Sequence, residues 1–390
     1  MTATHIRPTR DRPFDTDVLI VGAGPTGLTL ATALAVRGVH ATVIDRQAAG
    51  DHTSRAAVVH ARTLEALEPL GVTPTLVSLG LQAQRFTMRD RDRVLIPIAF
   101  DALPTRYPYT LMVSQAVTER VLRERLTDLG GHVLRPRTLA RLTQDASGVT
   151  ATLDDGTELR ARYAAGCDGM HSAVREQVQI TFTGGSYGES FVLADVRLTG
   201  AVPRDEVILY FSPAGMVVVA PLPDGVYRIV ATVDEAPEQP SAAYVQALLD
   251  ARGPKQQRAV VQEVLWGSRF RVHHRVADRY RAGRVLLAGD AAHVHSPAGG
   301  QGMNVGILDA VALSHALLRA LAGDEAALTA YGESRRPAAQ QVVKFADVLT
   351  RLATVRPGLR VLRNAMLAAL SRIPQLRSKM AWRLSGLAHR

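Results

Sequence analysis

The sequence has few of the residues that many kinds of site require. It contains one cysteine, Cys167, which excludes an internal disulfide and predicts a reducing, cytoplasmic setting. Cys167 and the scattered histidines form no metal-ligand spacing, so no metal site is predicted. No apolar run reaches the roughly 20 residues that span a bilayer, so we expect no transmembrane segment. Residues 1–14 are polar, lack a signal-peptide core and are predicted to be a flexible arm.

Acidic residues are nearly absent from the last fifty positions. Residues 341–390 hold ten Lys or Arg and one acid, Asp347, in a chain whose net charge is +10. Pro357 and Pro374 divide this segment, which predicts two or three basic helices. We favour helices packed on the core with solvated arginines, and the alternative is attraction to an anionic partner or membrane surface. Nothing resembles a nucleic-acid-binding module, so no nucleic-acid partner is expected.

The most informative stretch lies late in the chain, at 283–310. Val285–Ala288 is typical of a buried strand, and Gly289–Asp290 closes it. Pro297 and a glycine-rich turn then lead into an apolar helix predicted to run from residue 303 to about 321. A glycine-rich turn before a helix is suited to bind an anion, and the Asp could accept a bond from a sugar or polyol hydroxyl.

The beginning of the chain carries a dinucleotide-binding fingerprint in its full context. An apolar strand leads into the motif GAGPTG at Gly22–Gly27, and an apolar helix and a second strand follow, ending at Asp45. In this motif the first glycine makes the turn, the second lets a pyrophosphate approach, and the third lets the helix pack closely. Asp45 can accept a ribose hydroxyl. The pattern does not separate FAD from NAD.

The middle of the chain is richer in strands. Residues 133–162 alternate like a β-meander, a short strand is predicted at 163–166, and strands recur over 178–275. Ser114 is predicted to cap a helix that ends near Gly130. Because strands and helices of a nucleotide fold are separated by a strand-rich insertion, the predicted fold class is α/β, with an interrupted Rossmann-like domain.

Three motifs occur in an order and spacing that resemble the FAD-dependent aromatic hydroxylases, the single-component flavoprotein monooxygenases of the para-hydroxybenzoate hydroxylase type. The motifs are Gly22–Gly27 with Asp45, Cys167–Gly169, and Gly289–Asp290 with Pro297–Asn304. The match is best to the phenol and polyketide hydroxylase branch. The predicted division of the chain is a flexible arm at 1–14, a nucleotide-binding domain from 15–75, 114–176 and 278–335, a β-sheet domain from 76–113 and 177–277, and basic C-terminal helices at 336–390. The resemblance implies that the first domain binds FAD and that the β-sheet domain binds the substrate over the flavin.

The resemblance also implies which residues contact FAD, while no catalytic residue is assigned. These residues are Gly22, Gly24, Pro25, Thr26, Gly27, Asp45, Arg46, Arg55, Gln115, Asp168, Gly169, Gly289, Asp290, Pro297, Gly299, Gly300, Gln301, Gly302, Met303 and Asn304. Asp168 and Gly169 match the segment that links FAD and NAD(P)H binding. Apolar residues in the strands expected over the flavin suggest a substrate contact set of Tyr210, Phe211, Met216 and Pro221.

The implied activity is hydroxylation of an aromatic or polyketide-like substrate through a flavin C4a-hydroperoxide. O2 is the co-substrate and NADPH, or NADH, the reductant, since the cofactor carries the difficult step. The expected partner is therefore a small hydrophobic aromatic molecule, bound by a monomer or homodimer. Two alternatives stay open. One is another flavin oxidation on the same fold, such as epoxidation, Baeyer-Villiger oxidation or halogenation. The other is a non-catalytic, redox-sensing flavoprotein.

Overall fold

A computed structural model describes residues 14–50, 56–212, 214–256, 258–353 and 355–389. Its α-helices are α1 Pro25–Ala35, α2 Ala61–Leu67, α3 Thr73–Leu79, α4 Gln115–Asp128, α5 Ala173–Gln177, α6 Ala242–Arg252, α7 Gly302–Leu321, α8 Ala326–Ala353, α9 Arg360–Leu370 and α10 Pro374–Leu384. Its strands are β1 Thr16–Val21, β2 Ala41–Ile44, β3 Val58–Val59, β4 Leu81–Ala83, β5 Arg85–Asp90, β6 Arg93–Ala99, β7 Thr110–Met112, β8 Val133–Leu134, β9 Leu139–Gln144, β10 Val149–Leu153, β11 Glu158–Gly166, β12 Phe182–Thr199, β13 Glu206–Ser212, β14 Gly215–Pro221, β15 Val226–Val233, β16 Val260–Ala277, β17 Arg281–Ala282, β18 Val285–Leu287 and β19 His293–Val294.

The first sheet is assembled from distant parts of the chain. Its order is β17-β18-β11-β1-β2-β8, and the five strands from β18 to β8 run parallel. Parallel strands buried on both faces are apolar throughout, as Val18, Leu19 and Ile20 in β1 illustrate. The predicted α/β class with an interrupted Rossmann-like sheet is confirmed. The strand predicted at 163–166 is instead the second half of β11, whose first half pairs with β10 in the meander.

The second sheet has eight strands in the order β19-β16-β12-β15-β14-β13-β5-β6. Two of them, β12 and β16, are 18 residues long, well beyond the short strands predicted there. Strands β5 and β6, from the early part of the chain, join this sheet because β5 pairs in parallel with β13. Strands β3, β7 and β4 form a small third sheet that, among the described residues, shares no strand pairing with the other two.

The helices divide into a buried set and a C-terminal set. Helix α7 is long and apolar enough to cross a bilayer by length and composition, but 67% of its most apolar window is buried inside the molecule, as in a core helix. Helix α4 begins at the predicted cap, since the Ser114 hydroxyl accepts a bond from the N–H of Val117. The basic tail forms α8, α9 and α10. Contrary to the expectation of solvated arginines, α9 buries Arg363, together with Asn364 and Leu367.

Candidate functional site

One large cavity lies where the carboxyl ends of the first sheet, one face of the second sheet and the C-terminal helices meet. Its volume is about 860 Å³. The sequence-predicted residues that line it are Gly22, Gly24, Pro25, Thr26, Asp45, Arg46, Gln115, Asp168, Gly169, Asp290, Pro297, Gly299, Gly300, Gly302 and Met303. Four other predicted residues do not line the cavity but contact residues that do. Gly27 lies against Gly22 and Gly289 against Thr26, while the side chains of Gln301 and Asn304 donate to the carbonyls of Gly299 and Gly300. Arg55 lies outside the described residues.

The glycines of the first turn have different local surroundings. Gly22 has a φ of +102°, and a Cβ there would overlap the carbonyl of Cys167. A Cβ at Gly27 would overlap the carbonyl oxygen of Gly22. Gly24, by contrast, has open space where its Cβ would be, on the side that lines the cavity. The first and third glycines thus serve packing within the turn, whereas the second exposes backbone to the cavity.

Asp45 fixes this turn from the neighbouring strand. Its Oδ2 accepts a 2.6 Å bond from the N–H of Ala23, and its Oδ1 accepts a 2.8 Å bond from the N–H of Gln47. The Arg135 guanidinium lies 3.8 Å from the same carboxylate. The carboxylate therefore stays at the cavity edge in one orientation.

A buried ion network holds the second turn. The Asp309 carboxylate accepts bonds from the Gly289 N–H at 3.2 Å, from His293 Nε2 at 2.6 Å and from Arg335 Nε at 2.7 Å. Burial opposes ionisation of Asp309, but Arg335 and His293 outweigh it, so the pKa of this carboxyl lies below its usual value. The network keeps Asp290, which is exposed to the cavity, next to a rigid backbone.

The loop from Pro297 to Gln301 is held from behind. Asn304 Nδ2 donates to the carbonyl of Val58 at 2.9 Å, and its Oδ1 accepts from the N–H of His60 at 2.8 Å. The ring Nε2 of His60 lies 3.0 Å from the Gly299 carbonyl oxygen. Gln301 Nε2 donates to the Leu384 carbonyl at 3.2 Å, which ties the loop to the end of α10.

Two histidines at this loop are neutral because they are buried. Burial lowers the pKa of His60 to about 4, despite its bonds to the Gly299 and Gly300 backbone. Burial likewise lowers the pKa of His295 to about 4. His60 Nδ1 and His295 Nε2 have no hydrogen-bond partner among the residues that the structure describes. Both residues line the cavity, but these two ring nitrogens are themselves buried.

The part of the cavity under the second sheet is apolar and aromatic. Phe191 and Phe270 stack there with ring centroids 5.4 Å apart. The apolar lining residues in this part are Phe86, Phe100, Phe191, Leu209, Met216, Val218, Val230, Phe270, Leu349 and Leu384. Of the four predicted substrate residues, the lining includes Met216.

The structure places the other three predicted substrate residues outside the cavity lining. Side chains alternate along a strand, so Val207 and Leu209 of β13 face the cavity while Tyr210 packs on the opposite face near α6. Pro221 is likewise on the far face, since Met216, Val218 and Ala220 of β14 line the cavity. Phe211 shares the face of Leu209 but is covered by the Arg363 guanidinium, 4.5 Å from its ring centroid.

Comparison with known proteins identifies the family to which this fold belongs. The family described as FAD binding domain matches residues 15–346 of the chain. The chain belongs to this family. It is 34% identical over 369 residues to rifampicin monooxygenase of Streptomyces venezuelae, covering 90% of this chain and 74% of that protein. It is 38% identical over 361 residues to 6-methylpretetramide 4-monooxygenase of Streptomyces rimosus, covering 90% and 64%. The solved structure of OxyS anhydrotetracycline hydroxylase from Streptomyces rimosus aligns with a TM-score of 0.79 at 34% identity, covering 95% of this chain and 76% of that one.

This FAD-dependent monooxygenase offers a cavity whose donor set suits its cofactor. A flavin dinucleotide needs exposed backbone for its pyrophosphate, acceptors for its ribose and ribityl hydroxyls, and an apolar enclosure for its ring. The open side of Gly24, the carboxylates of Asp45 and Asp290, and the glycine loop after Pro297 supply these features along one wall. The residues present therefore fit FAD.

Sequence reasoning missed the residues that hold these features in place. Asp309 and Arg335 belong to the network behind Asp290, and His60 belongs to the one behind the Pro297 loop. One signal was available for Asp309, since it is the single acid in the mostly apolar helix α7. A lone acid on an apolar helix needs a buried partner, although the sequence does not indicate which distant arginine supplies it.

Proposed function

We propose that this chain uses FAD, NAD(P)H and O2 to hydroxylate an uncharged phenolic or multi-ring aromatic compound. The observation that carries the proposal is the continuity of one cavity, which joins the glycine-lined wall to a half lined by aromatic and aliphatic side chains. Bound FAD would supply the oxygen-transfer chemistry. The side chains of the chain would bind the substrate, orient it and exclude water.

The proposed cofactor contacts follow from the features of the glycine-lined wall. Asp45 would accept the adenosine ribose hydroxyls, Gly24 would lie against the pyrophosphate, and Asp290 would accept the ribityl hydroxyls. The backbone from Pro297 to Met303, at the N-terminus of α7, would face the flavin ring. Free N–H groups and the positive end of a helix there would stabilise negative charge on the reduced ring. Asp168 and Gly169 would border the NAD(P)H approach.

The charge of the cavity supports an uncharged substrate. Arg228, which lines the cavity and is 4% exposed, is held in a two-pronged ion pair by Asp195, with Nε to Oδ1 and Nη2 to Oδ2 both at 2.7 Å. Its planar fork is therefore already occupied in the geometry with which an arginine would hold a substrate carboxylate. The Arg228 fork is thus closed to the carboxylate of a small benzoate, whereas the aromatic lining suits fused rings. Relatives are named for acting on rifampicin and 6-methylpretetramide, which supports the same class.

The decisive experiment is a substrate screen with the FAD-loaded protein. Phenols, fused-ring quinones and small benzoates would be tested for stimulated oxidation of NADPH and NADH, with mass spectrometry of the products. We expect uncharged ring compounds to stimulate oxidation and to gain one oxygen, with NADPH preferred. Stimulation only by charged benzoates would contradict the substrate class. Peroxide without any oxygenated product would contradict hydroxylation.

A further inference from the structure

Helix α9 presents its apolar side to solvent. Its buried residues are Arg363, Asn364 and Leu367. Its outward residues follow helical spacing and continue just past its end: Val361, Leu362, Ala365, Met366, Ala369, Leu370 and Ile373. The exposures of Val361, Leu362 and Met366 are 72%, 67% and 47%. We call these seven residues the α9 outer face. A contiguous apolar surface of this kind marks a place of contact with something else.

Polar contacts fix the helix in this orientation. Arg363 donates to the Leu352 carbonyl at 2.8 Å and to the Phe211 carbonyl at 3.2 Å, while its guanidinium covers the Phe211 ring. Asn364 donates to Asp90 Oδ2 at 2.8 Å. Rotating α9 to bury its apolar side would break these bonds and leave their carbonyl and carboxylate acceptors without these donors. The outer face is therefore a built feature of the fold rather than a helix with no preferred orientation.

The charged side chains that α9 and its flanking segments contribute are of one sign, and the nearby Asp90 lies on the inner side, against Asn364. Arg356 and Arg360 precede or begin the helix, and Arg372, Arg377 and Lys379 follow it, while residues 348–390 contain no Asp or Glu. Asp347, the last acid of the chain, is already paired with Arg351 at 2.8 Å. A second copy of the chain, bound through a two-fold axis, would bring this cationic surface against itself. An anionic surface complements it.

We propose that the α9 outer face binds the surface of an anionic lipid bilayer, with α9 lying in the plane of the interface. Its apolar side chains would enter the boundary between headgroups and acyl chains, and the flanking cations would contact the phosphates. This arrangement differs from a membrane span, since only one face of a folded helix is used.

The position of α9 gives this contact a consequence for the substrate site. Leu367, on its inner side, belongs to the apolar cluster that also contains Leu349 and Leu384, and these two line the cavity. The α9 outer face is thus one helix away from the apolar half of the cavity. A bilayer, which concentrates apolar ring compounds, would lie beside the wall that encloses the substrate.

The test uses the full FAD-loaded chain and vesicle flotation. Vesicles of equimolar phosphatidylglycerol and phosphatidylcholine are compared with vesicles of phosphatidylcholine alone. We expect binding to the anionic vesicles, weakened by high salt, and a loss of roughly tenfold or more in Leu370→Asp. Leu79→Asp is the matched control, since both leucines end a helix and are 37% and 38% exposed. We expect this control to bind like the unmodified chain.

Four results would overturn the proposal. These are no binding to either vesicle, equal binding to neutral and anionic vesicles, equal losses in the two variants, and a concentration-dependent dimer in sedimentation velocity that Leu370→Asp dissociates. The last result would assign the α9 outer face to a second copy instead. Retained flavin absorbance and an unchanged melting temperature in both variants establish that folding is intact when binding is compared.

Discussion

At the scale of residues, the pair Arg228 and Asp195 sets the charge that the cavity offers to a ligand. Asp195→Asn would remove the anion that holds the guanidinium fork and leave an incompletely compensated buried cation. We expect the variant to bind small benzoates at least about tenfold more tightly than the parent, since a charge-assisted bond contributes about 1.5–3 kcal/mol. Titrating benzoate against the flavin absorbance measures this.

Asp205→Asn is the control for this substitution, because Asp205 pairs with Arg85 and both side chains are about half exposed. The control should leave benzoate binding unchanged. If Asp195→Asn also binds benzoate as weakly as the parent, the fork of Arg228 does not limit ligand charge, and the argument for an uncharged substrate loses its electrostatic support.

Asp290 gives a second prediction at this scale. Its side chain is exposed to the cavity, so its removal takes away an acceptor for the cofactor. We expect Asp290→Ala to weaken FAD binding by roughly tenfold or more, as a lost hydrogen bond to a charged group would. Equilibrium dialysis of the apoprotein with FAD measures this, and Asp324→Ala, in a surface pair with Arg319, controls for loss of an acid. Unchanged FAD affinity would remove Asp290 from the cofactor site.

At the scale of elements, the turn between β1 and α1 separates packing from binding. Gly27→Ala forces a Cβ into the carbonyl of Gly22, so both thermal stability and FAD binding should fall sharply. Gly24→Ala meets open space, so the apoprotein should melt within a few degrees of the parent yet bind FAD at least about tenfold more weakly. Differential scanning fluorimetry without and with FAD distinguishes the two. Equal FAD affinity in Gly24→Ala would mean that the cofactor does not approach this backbone.

Elements also show how far sequence reasoning reached. Motifs whose glycines and acids are contiguous in sequence predicted both turns of the cofactor wall, because local chain geometry dictates them. The predicted substrate residues Tyr210 and Pro221 lie on the far face of the sheet from the cavity, since the prediction considered residue type without the two-residue alternation that decides which face a side chain occupies. Helix α9 was unpredictable for another reason. Its amphipathic pattern is clear, but only the tertiary bonds of Arg363 and Asn364 determine which side faces inward.

At the scale of the whole molecule, the cavity depends on distant segments meeting around two buried histidines. His60 immediately precedes α2 and contacts the Gly299 carbonyl, and Gln301 of the same loop reaches the end of α10. His295 precedes the loop, next to Ser296, whose hydroxyl accepts a bond from Thr350 of α8. The segment before α2, the loop from Pro297 to Gln301 and the C-terminal helices are therefore joined through a buried region. Burial in this region disfavours the protonated form of both imidazoles.

This junction makes the stability of the molecule pH-dependent. The pKa of each histidine is about 4 in the folded chain, compared with 6.5 when unfolded, so the unfolded state takes up protons first as the pH falls. The stabilisation is fully present above about pH 6.5 and is lost progressively toward pH 4, amounting to about 2 kcal/mol per histidine between pH 7 and pH 5. We expect urea midpoints of the apoprotein to fall over this range. His295→Asn should reduce the fall by about half of the joint effect, while His132→Asn, at an exposed position, should not change it. An apoprotein equally stable at pH 7 and pH 5 would show that these imidazoles are not held neutral, and the closed junction around the flavin loop would then have to be rejected.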